Sequence, residues 1–157
     1  MVASVANAFA SEKVKIRRAR RSDAERIAQL SGELGYPATA AQIATRLRQL
    51  TPVSKHAVFI AESPDAGTGL IGWVHVSVAH LLESDIRAEV NGLVVAEGQR
   101  CAGAGAKLLE AAEEWARRRG CRAMNVRSNV IRERAHGFYE RNGYEHYKTQ
   151  KAFRKTL

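Results

Sequence analysis

Long apolar runs are missing from this chain, and so are the residues that mark several specialised scaffolds. No stretch approaches the ~20 apolar residues that a membrane-spanning helix needs, so neither a bilayer-embedded protein nor a membrane partner is expected. Only two cysteines are present, far too few for a disulfide-stapled scaffold. Cys101 and Cys121 stand at the two ends of one expected helix. A rise of about 1.5 Å per residue carries them beyond the roughly 7 Å reach of a disulfide, so both are expected as free thiols. The opening MVASVANAFAS lacks a basic start and a sustained apolar centre. It reads as a loose arm over residues 1–12 rather than a signal peptide, and a cytoplasmic location follows as the expectation.

Positive charge, by contrast, is plentiful: 25 Lys and Arg against 16 Asp and Glu, a net of +9. Residues 100–157 alone hold a net of +8. Such a balance invites a nucleic-acid partner, yet no basic stripe interleaved with aromatics is found, and Arg117, Arg118 and Arg119 suit the end of a helix, where the dipole favours cations. A solvated basic face is the plainer reading, and no nucleic acid is expected. With 45% hydrophobic and 26% charged residues, the 157-residue chain is expected to form one globular domain over residues 13–157.

Patterning sets the order of elements. Residues 13–19 (KVKIRRA) alternate apolar and basic as a half-buried strand does. Ser22-Asp-Ala-Glu25 reads as a capping box opening a helix through Ile27, Ala28, Leu30 and Leu34 to Gly35-Tyr36-Pro37. Thr39 caps a second helix through Ile43, Leu47 and Leu50. AVFIA (57–61) and LIGWVHVSVA (70–79) read as an antiparallel hairpin around the turn 63–67, LLESD (81–85) as a loop, and RAEVNGLVV (87–95) as a further strand. A helix over Leu108, Leu109, Ala112, Trp115 and Ala116 ends at Gly120, with Glu113 and Glu114 placed to pair with Arg117 and Arg118. CRAMNVR (121–127) is a short strand, 132–141 a helix stopped by Asn142-Gly143, and 144–153 one or two closing strands. The order β-α-α-β-β-β-α-β-α-β(-β) predicts an α+β fold, a mixed and mostly antiparallel sheet flanked by helices.

Between the strand ending at Val95 and the following helix lies RCAGAGAKLL, residues 100–109. A glycine-rich turn that opens a helix converges unpaired N–H groups on one point and adds the positive end of the dipole, an anion site. A dinucleotide fingerprint fails because Leu108 stands where its third glycine belongs. A triphosphate loop fails because Lys107 lies between Ala106 and Leu108 rather than in Gly-Lys-Ser/Thr.

What does fit is Arg100-x-x-Gly103-x-Gly105-Ala106, which resembles the turn of the GCN5-related N-acetyltransferases, followed by Ala135-His-Gly-Phe138-Tyr139 and Gly143-Tyr144, which resemble the second signature of that family. A nearer likeness is to bacterial aminoalkylphosphonate N-acetyltransferases, through Leu93-Val-Val, Lys107-Leu-Leu, Ser128-Asn-Val and the closing Lys155-Thr-Leu157. This likeness is concentrated in the half that binds the shared co-substrate. The resemblance implies acetyl-CoA as co-substrate, its pyrophosphate wrapped by Arg100, Cys101, Ala102, Gly103, Ala104, Gly105 and Ala106, and its pantetheine arm paired with Leu93, Val94 and Val95. Cys101 and Ala102 depart from the glycine and basic residue of many relatives. Asn129, farther from Ala135 than the family's asparagine, either touches the pantetheine arm or caps its loop.

Transfer to an amine needs a free lone pair, a polarised thioester carbonyl and a proton for the leaving thiolate. The resemblance implies Tyr139 as the proton donor, and Glu89 as a base acting through water. The plain alternatives are an aromatic packed beside Phe138 and a solvated strand-face carboxylate. His75 and Glu83 are other candidate bases. Tyr36, His75 and Glu83, with Glu33 and Asp85, are candidates for holding a cationic acceptor, and Arg46, Arg48 or Arg127 for holding an anionic one. Cys101 has no nearby base, so direct transfer in a ternary complex is expected, and no metal site is. The expected function is acetylation of a small-molecule primary amine by a protein that relatives suggest is a homodimer. A peptide acetyltransferase and a catalytically silent CoA sensor are the alternatives.

Overall fold

Alternating apolar and basic residues begin the sheet. The computed structural model describes residues 13–64, 67, 69–100 and 103–157. The arm expected over 1–12, Cys101, Ala102 and part of the 63–67 turn lie outside the described residues. Strand β1 (Lys15–Arg18) leads to a 3-10 turn at Arg21–Asp23 and then to helix α1 (Ala24–Glu33). The capping expectation needs correcting here: Asp23, not Glu25, accepts the N–H three residues upstream, from Arg20 rather than Ser22, at 2.7 Å. Arg17 grips the same carboxylate through two bonds of 2.8 and 2.9 Å, and Ser22 lies inside the 3-10 turn rather than at the helix cap. Arg17 also donates to Glu62 at 2.8 Å. Burial raises the Asp23 carboxyl pKa, but the bonds from Arg17 and from the Arg20 N–H outweigh it and hold the group below its ordinary value.

Thr39 caps helix α2 (Ala40–Leu50) as its sequence predicts, accepting the Gln42 N–H at 3.2 Å while Gln42 Oε1 accepts the Thr39 N–H at 2.9 Å. β2 (His56–Glu62), β3 (Leu70–Leu81) and β4 (Ser84–Val95) follow as antiparallel neighbours. The loop expected over 81–85 shrinks to Leu82 and Glu83, because Leu81 pairs with Ser84. Continuing the ladder satisfies backbone groups that polar composition alone does not reveal. Helix α3 (Ala104–Arg117) carries the chain over to β5 (Met124–Val126), parallel to β4, which completes a sheet in the order β1-β2-β3-β4-β5. The strand expected over 121–127 is thus reduced to three residues.

Trp73 and its neighbour Gly72 show how the sheet is covered. Trp73 packs into the cluster formed by Ile27, Leu30, Ile43 and Leu47 of α1 and α2 with Ile60 and Val94. A Cβ on Gly72 would meet Leu108 of α3 at 3.2 Å, so α3 lies on the other face. Leu108 and Leu109 are fully buried there, each worth about 1.5–3 kcal/mol of apolar transfer. Outside this packing, Arg117 and Arg118 pair with Glu113 and Glu114 at 3.1 and 2.8 Å. Cys121 is a buried free thiol.

The chain divides into two compact units, one ending at Arg127 and the other Ser128–Leu157. The second holds α4 (Glu133–Arg141), closed at Asn142-Gly143 by the Tyr144 N–H donating to Tyr139 O at 3.0 Å. The strands expected over 144–153 do not form, and residues 145–157 are exposed. That stretch sets no apolar side against a polar one, so nothing selects a register. No helix among the described residues is long and apolar enough to cross a membrane.

Candidate active site

β4 changes its company halfway along. Against β3, His75 pairs with Gly92 but Val76 with Val90, so Asn91 is an extra residue, a β-bulge. On the other side β5 accompanies β4 only over Ala88–Val90. No described strand flanks residues 91–95 there, and alternate N–H and C=O groups of that stretch face an open edge. Gly92 is needed at the bulge because the Trp73 ring lies across it; a Cβ would stand 2.8 and 2.9 Å from two ring atoms. The Asn91-Gly92 dipeptide inside a strand pattern was the available sequence signal for this break.

The open edge runs directly into the glycine-rich turn. A 3-10 turn at Glu97–Gln99 intervenes, its first N–H donated to Glu33 Oε2 at 3.1 Å, which gives Glu33 a bracing part. Arg100 Nε donates back to Val95 O at 3.1 Å. Gly103 caps α3 with φ 77°, a left-handed conformation that an L side chain resists. The Lys107 N–H is the first to bond within the helix, to Gly103 O at 3.1 Å, so the N–H groups of Ala104, Gly105 and Ala106 have no acceptor inside it. None of the three carries more than a methyl group. Lys107 Nζ reaches Val14 O at 3.3 Å, which aims its charge at the strand β1 side. The turn therefore offers an anion backbone groups and the helix dipole.

Beyond the apolar row Ile60, Trp73 and Val94, the same sheet face becomes polar. Next come His75, then the cross-strand row His56, Ser77, Glu89 and Asn125, then Arg87. Glu89 accepts from Arg87 Nη2 at 3.5 Å and from Arg127 Nη2 at 3.3 Å. The Glu89 and Arg87 side chains are only 21% and 25% exposed, whereas that of Arg127 is 82% exposed. An ion pair with so exposed a partner is worth at most about 1 kcal/mol. Asn91 Nδ2 donates to Ser77 Oγ at 2.8 Å. His75 Nε2 lies 3.1 Å from His56 Nδ1, and burial together with the neighbouring His56 pushes the His75 pKa down to about 4. A neutral imidazole so reluctant to protonate is a poor acceptor for an ammonium proton, and its geometry is that of a satisfied sheet-face histidine.

Glu83 and Tyr36 are placed apart from this tract. Glu83 sits in the β3–β4 turn, six residues and roughly 20 Å along β4 from Glu89. Tyr36, 69% exposed, follows α1 in the connection to α2. In the second unit, Asn129 Oδ1 accepts the Ile131 N–H at 3.2 Å, the loop-capping arrangement. Tyr139 is packed by Phe138 at 5.2 Å edge-on and by Tyr144 at 5.7 Å. Burial pushes its phenol pKa up against a smaller opposite pull from Arg132, so the hydroxyl keeps its proton at neutral pH. Sequence reasoning missed Arg87, Asn91, Ser77 and His56, because strand register alone assembles them.

A sheet whose fourth strand parts from the fifth and feeds a glycine-capped helix start points to the acetyltransferase class of fold. Similar solved structures include the aminoglycoside N-acetyltransferase AAC(6')-Iy in complex with CoA, with a TM-score of 0.80 and 19% identity over 92% of this chain and 95% of that one. Aminoglycoside 6'-N-acetyltransferase AAC(6')-Ih from Acinetobacter baumannii scores 0.77 at 17% identity, and a GNAT family acetyltransferase from Staphylococcus aureus subsp. aureus USA300_TCH1516 scores 0.70 at 23%. Each of these two covers 92% of this chain and 99% of its own. The profile of the Acetyltransferase (GNAT) family matches residues 21–144, and the chain belongs to that family. No curated protein matches it significantly in sequence.

Proposed function

We propose that the protein is an acetyl-CoA-dependent N-acetyltransferase that acts on the primary amine of a small molecule, with both substrates bound at once. One observation carries this reading: the unflanked edge of β4 over residues 91–95 runs into the glycine-capped start of α3. A pantetheine arm pairs with such an edge like an added strand, and a pyrophosphate suits the N–H groups beyond it. Leu93, Val94 and Val95 hold the first, and Arg100 to Ala106 the second. When bound, the co-substrate supplies an acetyl thioester whose C–S bond breaks as the C–N bond to the amine forms.

The chain's own groups manage charge and protons. A backbone N–H of residues 93–95 polarises the thioester oxygen. Glu89, on the sheltered polar tract, takes the proton of the ammonium through water, and Tyr139 donates its hydroxyl proton to the departing sulfur. The buried Cys121 thiol, its pKa raised by burial against a smaller opposite pull from Arg119, is unsuited to carry an acyl group, in keeping with direct transfer. A cytoplasmic homodimer is the expected form of the enzyme, which light scattering on the purified protein tests for assembly.

The decisive experiment is thiol release from acetyl-CoA across aminoalkylphosphonates, aminoglycosides, polyamines, amino acids and short peptides. Saturable turnover with a small-amine class is expected. Turnover confined to peptides, or acetyl-CoA binding with no turnover on any amine, overturns the reading.

A further inference from the structure

We infer that the Arg127–Glu89 ion pair is exchanged when the acceptor binds: an amine bearing its own oxyanion draws Arg127 onto that group and releases Glu89 to the ammonium. The inference rests on the acetyltransferase reading of the same site and adds to it the acceptor's chemical class.

Two guanidiniums converge on one carboxylate, and they are unequal. Arg87 sits two residues from Glu89 on the same strand face, is largely sheltered, and is further held by donating to Ser84 Oγ at 3.1 Å. Arg127 follows the end of β5, is 82% exposed, and reaches Glu89 through a single contact at 3.3 Å. Removing Arg87 would strand a sheltered charge, whereas Arg127 moves to another anion with little loss, since water already screens its pair. Arg127 is therefore the exchangeable partner and Arg87 the fixed one. Arg87 also keeps a donor in reserve, because its buried Nε has no hydrogen-bond acceptor among the described residues.

Charge then selects the acceptor. The cluster of Arg87, Glu89 and Arg127 carries a net positive charge, within a chain of net charge +9. A polycation approaching it meets two guanidiniums and a carboxylate they already occupy. A zwitterion satisfies all three groups: its ammonium goes to Glu89 and its carboxylate or phosphonate to Arg127, where guanidinium binds oxyanions in a two-pronged fashion. The geometry thus points to primary amines with an acidic group a few bonds away, and away from the polyamine acceptors of the aminoglycoside type.

The test compares wild type with Arg127→Gln on matched acceptors: an ω-amino carboxylate and an aminoalkylphosphonate against propylamine and spermidine. Wild type is expected to favour both acid-bearing amines. In Arg127→Gln, KM for these rises roughly tenfold, the scale of one lost hydrogen bond to a charged group, while kcat changes little. Turnover of propylamine rises, because Glu89 Oε2 is no longer held by Arg127 while Arg87 stays on Oε1. This opposite response is one that a merely structural arginine would not produce. The exposed position of Arg127 keeps folding out of the comparison, and circular dichroism verifies it. Equal losses on both classes, no change on either, or a wild-type preference for spermidine overturns the exchange while leaving acetyl transfer intact. Absence of wild-type transfer to any amine removes the parent reading, and the exchange with it. Differing losses on carboxylate and phosphonate identify which oxyanion the site is shaped for.

Discussion

Tyr139 and Glu89 divide the proton work of the proposed reaction, and single-atom changes separate them from binding. Tyr139→Phe deletes only the hydroxyl, so kcat is expected to fall by about 10²-fold or more while the acetyl-CoA Kd from titration calorimetry stays within about twofold. Unchanged kcat would remove the proton-donor role. Glu89→Gln keeps the shape but abolishes the charge, and a comparable loss of kcat is expected. His75 acts on stability rather than on chemistry. Its folded pKa, about 4, lies below its ordinary value of 6.5, so the unfolded chain binds the proton more readily. Its contribution is complete above pH 6.5, drains away as pH falls toward 4, and amounts to at most about 3 kcal/mol. Urea unfolding at pH 7.5 and at pH 4.5 should show that loss, and His75→Gln should shrink it. The sequence pointed to Tyr139 and Glu89 through motif and strand position. The histidine pair was hidden, since its members are 19 residues apart and meet only through the β2–β3 register.

Elements carry the geometry that residues then use. β3 and β4 approach closely at Gly72. A Cβ there would lie 2.7 Å from the Val94 carbonyl oxygen, a backbone atom that cannot swing aside. Gly72→Ala is expected to destabilise by about 1–3 kcal/mol, measured as a lower urea midpoint at unchanged slope. Gly103 is expected to affect ligand binding as well as the fold. Its φ of 77° puts it in left-handed space, so Gly103→Val strains the cap and crowds the turn. Acetyl-CoA affinity should fall by more than the thermal stability does; an undiminished affinity would count against the turn as the pyrophosphate site. The amphipathic helix α3 was plain from its spacing, as was the Thr39 cap. The Ser22 cap does not form because a 3-10 turn over Arg21–Asp23 takes Ser22 inside it and leaves Asp23, held by Arg17, before the helix. The one or two closing strands expected over 144–153 do not form, because that stretch has no apolar side to bury.

Across the whole molecule, a net charge of +9 acts at distances that no single contact reaches. Association of a polyanionic co-substrate is therefore expected to slow several-fold between 50 and 500 mM NaCl, as the Debye length contracts from roughly 14 to 4 Å. Stopped-flow binding measures it; a salt-independent rate would show that the basic face plays no part in capture. By itself the sequence determined the α+β class, the element order as far as α4, the apolar stripe of α3, the antiparallel pairing of β2 and β3, and the glycine at the start of α3. Each of these is set by neighbours within one or two turns of chain, where periodicity and backbone preference act directly. Only the tertiary structure decided where β5 stops accompanying β4, that Asn91 bulges, and that Arg87 and Arg127 share Glu89. Those outcomes depend on register and charge pairing between segments up to 38 residues apart, which become neighbours only when the sheet closes around them.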